Sequence, residues 1–217
     1  MTEWLAVWQN SGLLVQGFVN TLILTVAAIV GSTLLGFIYA LVRYYKVPIA
    51  EQIVTVLLEV FRGSPLLIQL LFIYFGLAFM GIRGVPVLVV CIITITFYQG
   101  AYISEVFRAG LESVGAGQKE AARTLGLKEF QTMMFVILPQ SLPVIYPPLF
   151  GQFVALVKHT ALASVIGYMD ILRYGKAIID REHNPFEVYF TVAVLYFVIS
   201  YPLSLIAQRL EKKALKV

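Results

Sequence analysis

Charged residues and cysteine are both scarce in this sequence. Only 13% of its 217 residues are charged, whereas 59% are hydrophobic and the mean hydropathy is +0.85. A soluble domain carries roughly twice that charged fraction and could not bury so much apolar surface, so a water-soluble fold is excluded. The single cysteine, Cys91, lies inside an apolar run, which excludes a disulfide framework. The net charge of +4 is more typical of basic cytoplasmic loops in a membrane protein than of nucleic-acid binding.

Long apolar runs make up most of the chain. Because about 20 apolar residues are needed to cross roughly 30 Å of hydrocarbon, we predict an all-α, polytopic integral membrane protein with five transmembrane helices. Within a single transmembrane domain, residues 1–217, the spans cover about residues 13–42, 53–80, 85–111, 132–157 and 188–208. An odd number of spans places the two termini on opposite faces of the membrane.

The basic residues predict the orientation of the spans. Ten of the 16 lie in segments on one face, namely Arg43, Lys46, Arg108, Lys119, Arg123, Lys128, Arg209, Lys212, Lys213 and Lys216. The segments on the other face carry Arg83, Arg173, Lys176 and Arg181, together with several carboxylates. Because basic loops stay in the cytoplasm, we expect the C-terminus and the loop 112–131 there and the N-terminus outside.

Proline interrupts two of the predicted spans. The second contains Arg-Gly-Ser-Pro at residues 62–65, and the fourth contains Pro139, Pro143, Pro147 and Pro148. Proline removes a backbone hydrogen bond, and broken helices occur at membrane depth only where protein or a water-filled cavity satisfies the freed groups. Both interruptions therefore indicate a pathway through the protein rather than an inert anchor.

The most polar segment reads EAARTLGLKEFQTMMFVILP and covers residues 120–139. We predict a short helix, a turn at Gly126 and a second short helix, because the residues before the turn favour helix and glycine permits a sharp reversal. Leu125 and Leu127 are expected to pack the turn against the membrane domain, and the charged side chains of residues 119–123 to face the cytosol. Composition alone would also suit an ordinary solvated loop.

This segment resembles the EAA loop of ABC importer permeases. The resemblance rests on Glu-Ala-Ala at 120–122, Gly126 after three residues, and Val-Ile-Leu-Pro at 136–139 after nine more. Isoleucine is the usual residue at the position of Val136. Such loops dock into a groove on a cytoplasmic ATPase, and the resemblance implies this coupling role for Gly117, Glu120, Ala121, Ala122, Gly126 and Pro139.

A narrower resemblance covers most of the chain. The segments similar to permeases of the polar amino-acid uptake family are RGSPLLIQLLFIYFGL (62–77), GAYISEVFRAGL (100–111), GQKEAARTLG (117–126), LPQSLPVIYP (138–147) and LVKHTALASVIG (156–167). Ser64 and Ala161 are small departures from the commoner threonine and serine, whereas His159 in place of aspartate is a larger one.

The resemblance implies a type I ABC importer permease fold, with five spans and a cytoplasmic coupling helix, in the bacterial cytoplasmic membrane. It also implies a second permease copy or a paralogue, two copies of an ABC ATPase, and an extracytoplasmic amino-acid-binding protein. The sequence has no Gly-x-x-x-x-Gly-Lys and no nucleophile–base constellation. We therefore predict a non-catalytic subunit that binds no cofactor or metal, with ATP and Mg held by the partner ATPase.

Polar side chains within the spans are the candidates for a substrate pathway: Arg62, Gln69, Tyr98, Gln99, Tyr102, Glu105, Lys158 and Thr160. A charged side chain at the centre of a span costs about 2.5–3.5 kcal/mol on insertion scales, so each charge within a span indicates a structural or functional role. At about 1.5 Å per residue, Arg62 lies at a depth similar to that of Glu105. Arg62 could pair with Glu105 and tie two helices, or receive a substrate carboxylate, and the two interpretations are compatible if the pair opens.

The remaining candidates have similar alternatives. The amide of Gln99 and the phenols of Tyr98 and Tyr102 suit the ammonium and carboxylate of an amino acid, or pack at a helix interface. Lys158 and Thr160 precede a non-helical stretch containing Gly167 that could gate the outer mouth, and Lys158 could equally extend to the headgroups. His159 is too isolated to be argued as a metal ligand.

Two other classes of protein compete with the permease interpretation. An ion-coupled amino-acid carrier or channel would explain the broken helices and Arg62, but not the EAA-like loop. A membrane scaffold subunit would need neither charges within the spans nor proline clusters.

Overall fold

The computed structural model describes residues 4–214, and in this part of the chain helices joined by turns and short connections are the regular structure, with no strand. Its α-helices are α1 (Leu5–Gln9), α2 (Ser11–Tyr44), α3 (Ala50–Gly63), α4 (Leu66–Phe79), α5 (Val87–Glu112), α6 (Ala116–Thr124), α7 (Glu129–Thr132), α8 (Leu138–His159), α9 (Ile171–Glu182) and α10 (Pro185–Ala214). The all-α prediction is confirmed. Lys216, counted above among the basic residues, and the outermost residues of the predicted domain lie outside the described range.

Four helical runs in residues 4–214 are long and apolar enough to cross a membrane, and a fifth span arises if α3 and α4 cross as one broken unit. The four are Ser11–Tyr44, Val87–Glu112, Glu129–Ile166 and Pro185–Lys213. The axes of α3 and α4 differ by 106°. The break falls at Ser64, whose backbone is extended because the ring of Pro65 disfavours helical geometry in the preceding residue.

The run Glu129–Ile166 changes its helical pitch twice. A π-helical segment, Met133–Ile137, precedes α8, and a 3-10 segment, Thr160–Ile166, follows it. The π-helical segment comes directly before the proline-rich part of α8, where missing N–H donors disturb regular hydrogen bonding. The non-helical stretch expected to contain Gly167 covers residues 167–170, and it begins at Gly167, whose φ is 91°.

The centre of the bundle is the contact between α2 and α5, which depends on small residues. A Cβ atom on Gly36 would lie 2.7 Å from Cγ2 of Ile103 and 3.0 Å from the carbonyl oxygen of Gly100. Close approach of backbones through small residues is the usual way for helices to pack in a membrane, where neighbouring lipid is as apolar as the side chains.

Asp170 fastens the short helix α9 to the bundle. Its buried carboxylate accepts a hydrogen bond from the backbone N–H of Arg173 at 2.8 Å, which caps α9, and another from the hydroxyl of Tyr196 in α10 at 2.8 Å. Burial raises the pKa of this carboxyl to about 6. The backbone beside it packs directly on Gly17 of α2.

Two glycines of α2 provide a matched test of this packing. A Cβ on Gly17 would lie 2.9 Å from Cα of Ile171 and 3.0 Å from the carbonyl oxygen of Asp170, and backbone atoms cannot rotate away. A Cβ on Gly12 would meet nothing within 4 Å. We expect Gly17→Ala to lower the thermal unfolding midpoint in detergent, and Gly12→Ala to keep or raise it, since alanine restricts the unfolded chain. Equal midpoints for the two variants would contradict the packing of α9 on α2.

Candidate functional site

Five polar side chains meet in the middle of the bundle, where the centre of α5 faces the last two turns of α8. Gln99 is fully buried and donates from Nε2 to Oε1 of Gln152 at 2.6 Å and to the Gln152 backbone carbonyl at 3.2 Å. Its Oε1 lies 3.2 Å from Nδ1 of His159. The Tyr98 ring meets the His159 ring edge-on at 5.5 Å, and its hydroxyl lies 3.4 Å from that of Tyr102. We call these five residues the polar cluster.

The hydrogen bonds assign the roles of the amide and the imidazole. A backbone carbonyl can only accept, so the Gln99 atom that faces Gln152 is the amide nitrogen and the other is the oxygen. Nδ1 of His159 therefore donates to Gln99, and in the neutral ring Nε2 remains an acceptor. The polar cluster thus offers both donors and acceptors inside an apolar bundle.

The sequence predicted three members of the polar cluster, Tyr98, Gln99 and Tyr102, and missed the other two. Gln152 stands in an otherwise apolar stretch of α8, and this polar interruption was the available signal. The partner of His159 is not evident in the sequence, because Gln99, which its ring contacts, lies 60 residues away in the chain.

Six charged side chains form a second group, the charged cluster, where α2, α3 and α5 meet: Arg43, Glu59, Arg62, Glu105, Arg108 and Glu112. Glu105 is at its centre. Its Oε1 accepts from Nη1 of Arg43 at 2.5 Å and from Nη1 of Arg62 at 3.0 Å, and its Oε2 pairs with Nη2 of Arg108 at 2.9 Å. Arg62 also binds Glu59 at 2.6 Å, and Arg108 also binds Glu112 at 2.7 Å. Three cations and three carboxylates balance.

The charged cluster lies at one end of the bundle. Arg43 is the second-last residue of α2, and Glu105 is seven residues from the end of α5, about 10 Å along the helix axis. Gln99 lies six residues earlier in α5, about 9 Å deeper. Arg62 does contact Glu105, as the ion-pair interpretation expects, but this contact is separate from the polar cluster.

The other pathway candidates also lie apart from the polar cluster. Gln69 donates from Nε2 to the carbonyl oxygens of Phe61 and Ser64, at 2.8 and 3.1 Å, so it satisfies backbone groups freed by the break between α3 and α4. Thr160 is buried and donates to the Val157 carbonyl at 2.7 Å. Lys158 is exposed. Among residues 4–214, no cluster of histidine, cysteine and carboxylate side chains could hold a metal ion.

The EAA-like segment folds as a helical hairpin. The helix α6 ends at Thr124, and Gly126, two residues later, has a left-handed φ of 78°. The N–H groups of Gly126 and Leu127 donate back to the carbonyls of Arg123 and Ala122 at 2.9 and 3.1 Å. This pair of backbone hydrogen bonds is the common pattern at a helix end that is terminated by glycine. The pair Arg123–Glu129, at 2.7 Å, links the two arms of the hairpin.

The hairpin contacts the bundle differently from the expectation. Leu125 is 80% exposed instead of packing on the membrane domain, and Leu127 is only half-buried. Ala122 is the buried residue of α6, because its small side chain allows close approach, whereas Gly117, Glu120 and Ala121 are exposed. Pro139 is the second residue of α8, where its missing N–H is tolerated. The hairpin therefore presents an apolar and charged outer surface.

These features define a transport protein of the permease class, with one broken span, a polar cluster inside the bundle and an exposed helical hairpin at one end. Residues 13–216 match the family described as binding-protein-dependent transport system inner membrane component, and the chain belongs to that family. It is therefore a multi-pass inner-membrane permease subunit.

Relatives and solved structures support this assignment. The chain is 36% identical over 213 residues to the glutamine transport system permease protein GlnP of Escherichia coli strain K12, covering 97% of each. A crystal structure of an amino acid ABC transporter with histidines matches with a TM-score of 0.87 and 33% identity, covering 97% of this chain and 98% of that one. A chain of an inward-facing methionine ABC transporter, 21% identical, matches with a TM-score of 0.78 over 94% of this chain and 97% of that one, and shows the fold alone. The ABC importer permease fold predicted from the sequence is confirmed.

Proposed function

We propose that this chain is the transmembrane subunit of an ATP-driven ABC importer that carries polar amino acids across the inner membrane. The observation that carries the proposal is the polar cluster, whose amide, phenol and imidazole groups both donate and accept hydrogen bonds. An amino acid presents a carboxylate that accepts and an ammonium that donates, so such a site binds both ends without a fixed charge. The names of the relatives, a glutamine permease and an amino acid ABC transporter, point to the same class of substrate.

The partners of the chain follow from the same proposal. Two copies of a cytoplasmic ATPase, which hold ATP and Mg, dock on the helical hairpin and drive a pair of permease subunits, and an extracytoplasmic binding protein delivers the amino acid. The N-terminus then lies outside and the C-terminus in the cytoplasm, which puts α6 and the charged cluster on the cytoplasmic side. The exposed face of α6, with Gly117, Glu120 and Ala121, is the docking surface, and Gly126 fixes its angle.

The test is uptake of labelled amino acids into proteoliposomes. Accumulation is expected only with the ATPase, ATP and the binding protein together, since this chain has no nucleotide-binding motif. Accumulation by the chain alone, driven by a proton or sodium gradient, would assign it to the ion-coupled carriers instead.

Charge reversal at Glu120 tests the docking surface. Glu120 is exposed and makes no ion pair within residues 4–214, so Glu120→Lys is expected to leave folding intact. If α6 docks into the ATPase, the variant should lose most of the ATPase in a detergent pull-down and most ATP-driven uptake. Glu182→Lys is the matched control, because Glu182 is an exposed carboxylate at the end of α9, on the opposite side, and should retain the ATPase. Full retention of the ATPase by Glu120→Lys would refute the docking assignment.

A further inference from the structure

A small cavity lies where the end of α2 meets the helical hairpin, outside both clusters described above. It measures 220 Å³ and is lined by Tyr44, Tyr45, Lys46, Lys119, Arg123, Glu129, Thr132 and Ile137. Lys119 closes one side, with Nζ 4.4 Å from the centroid of the Tyr44 ring. We call this cavity the basic pocket.

Two buried hydroxyl groups of the basic pocket have no hydrogen-bond partner among residues 4–214. They are the hydroxyl of Tyr44 and Oγ1 of Thr132, and Thr132 is only 3% exposed. Buried polar groups are nearly always satisfied, so two unsatisfied donors lining one cavity indicate a missing acceptor. A ligand with acceptor oxygens would satisfy both.

The charges of the basic pocket favour an anionic ligand. Glu129 is its only carboxylate, and it is already paired with Arg123 at 2.7 Å. Lys46 and Lys119 form no ion pair within residues 4–214, so two positive charges remain without a counter-charge. Lysine ammonium groups together with two hydroxyl donors match the oxygens of a phosphate.

The surroundings of the basic pocket resemble the edge of a bilayer. Tyr44 and Tyr45 stand at the end of the span α2, where tyrosine commonly marks the membrane–water interface. Large apolar side chains are exposed close by in the sequence, with Val47 and Ile49 after α2 and Phe130 and Met134 beside Thr132. A soluble anion would not need this apolar border, whereas the glycerol and acyl chains of a lipid would contact it.

We propose that the basic pocket binds the phosphate of an anionic phospholipid headgroup from the cytoplasmic leaflet. Basic pockets between helices on this side of a membrane are suited to such headgroups. The phosphate would join Lys46 after α2 to Lys119 in α6, so that the lipid holds the coupling helix against the bundle. This consequence rests on the orientation and coupling role proposed above, but the binding itself needs neither.

The experiment measures lipid retention by the purified full-length chain without its ATPase, so its result does not depend on the proposed transport function. Phosphatidylglycerol and phosphatidylcholine are titrated separately, and bound lipid is counted by native mass spectrometry. The wild type is expected to prefer phosphatidylglycerol. Each of Lys46→Gln and Lys119→Gln should weaken its binding about five-fold, the amount expected for one basic side chain near a lipid phosphate.

A second pair of variants separates a defined site from general surface charge. Tyr44→Phe and Thr132→Val remove the unsatisfied hydroxyls and keep every charge, and each should weaken binding of phosphatidylglycerol but not of phosphatidylcholine. Lys128→Gln is the control, since Lys128 is an exposed lysine of the same hairpin that does not line the pocket. Its phosphatidylglycerol affinity should equal that of the wild type. The unfolding midpoint in phosphatidylcholine shows that each variant folds.

Several results would overturn the proposal. Unchanged phosphatidylglycerol affinity in the lysine variants would show that the pocket is not the lipid site. An equal loss of affinity in Lys128→Gln would show that the lipid binds to the general positive charge of the surface. Displacement of the lipid by millimolar inorganic phosphate would reassign the pocket to a soluble anion. Loss of the ATPase in a pull-down by Lys119→Gln, with lipid affinity unchanged, would make the pocket a contact for the partner subunit.

Discussion

Replacing Glu105 by leucine is expected to destabilise the protein far more than replacing Arg62 by methionine. Glu105→Leu leaves Arg43, Arg62 and Arg108 around an apolar side chain, and removing one partner of a buried ionic group costs about 3–5 kcal/mol. Because Glu105 is 26% exposed, we expect the lower end of that range. Arg62→Met leaves Glu105 paired with two arginines. It leaves only the exposed Glu59 without its partner, and an exposed ion pair of this kind contributes about 1 kcal/mol or less to stability.

This asymmetry separates the two interpretations of Arg62. Uptake and the unfolding midpoint are measured for each variant in the same reconstituted complex. If Arg62 receives a substrate carboxylate, Arg62→Met loses uptake while its midpoint and basal ATP hydrolysis stay near the wild type. Wild-type uptake by Arg62→Met would show that Arg62 has a structural role only. Similar unfolding midpoints for Arg62→Met and Glu105→Leu would contradict the central place of Glu105 in the charged cluster.

The observed charged cluster also changes the best test of the pair. The sequence alone suggests the double replacement of Arg62 and Glu105 by apolar residues, so that neither charge remains unpaired. In the structure that double variant leaves Arg43 without any carboxylate, because Glu105 is its only ionic partner within residues 4–214. The sequence identifies Arg43 only as a loop cation, since nothing in it indicates which helix end reaches which carboxylate.

The break in the second span was predictable because its cause is local. The ring of a proline constrains the backbone of the preceding residue in any segment. Pro65 therefore makes the backbone of Ser64 extended, and this can be predicted from the sequence alone. The same holds for Gly126, whose left-handed conformation ends α6 at the predicted turn. Features that depend on one or two neighbouring residues follow from sequence.

The polar cluster was only partly predictable because it depends on helix pairing. Gln99 has its partner Gln152 at a separation of 53 residues, and His159 is reached only because α8 ends opposite the centre of α5. Gln69 stays a prediction as a pathway residue, but its hydrogen bonds were not predictable either. Its depth in a broken span favours a pathway role, but its amide turns back to the Phe61 and Ser64 carbonyls of its own break.

The exposed Leu125 has a similar explanation. Leucines beside a turn are usually buried, so the sequence favoured packing on the bundle. In the structure the small side chain of Ala122 makes the buried contact of α6, and the Leu125 side chain is exposed instead. Its exposure at the turn is compatible with the proposed docking of the ATPase on α6.

Gln99→Leu is expected to abolish most uptake, at least ten-fold, without preventing assembly. The substitution keeps the volume of the side chain but removes the donor to Gln152 and the acceptor for His159, so both lose their orientation. Leaving such buried groups unsatisfied costs about 1–3 kcal/mol, which a bundle of this size tolerates. The measurement is initial uptake rate over a range of substrate concentrations, together with basal ATP hydrolysis by the complex.

Thr94→Val is the matched control for Gln99→Leu. Thr94 is equally buried, lies in the same helix, and bonds only to the Val90 carbonyl one turn away, so its hydroxyl positions nothing in the polar cluster. We expect Thr94→Val to transport at nearly the wild-type rate and to hydrolyse ATP normally. If Gln99→Leu instead kept wild-type uptake while its unfolding midpoint fell, the polar cluster would be a structural tie between α5 and α8. The amino-acid pathway would then have to pass elsewhere in the bundle.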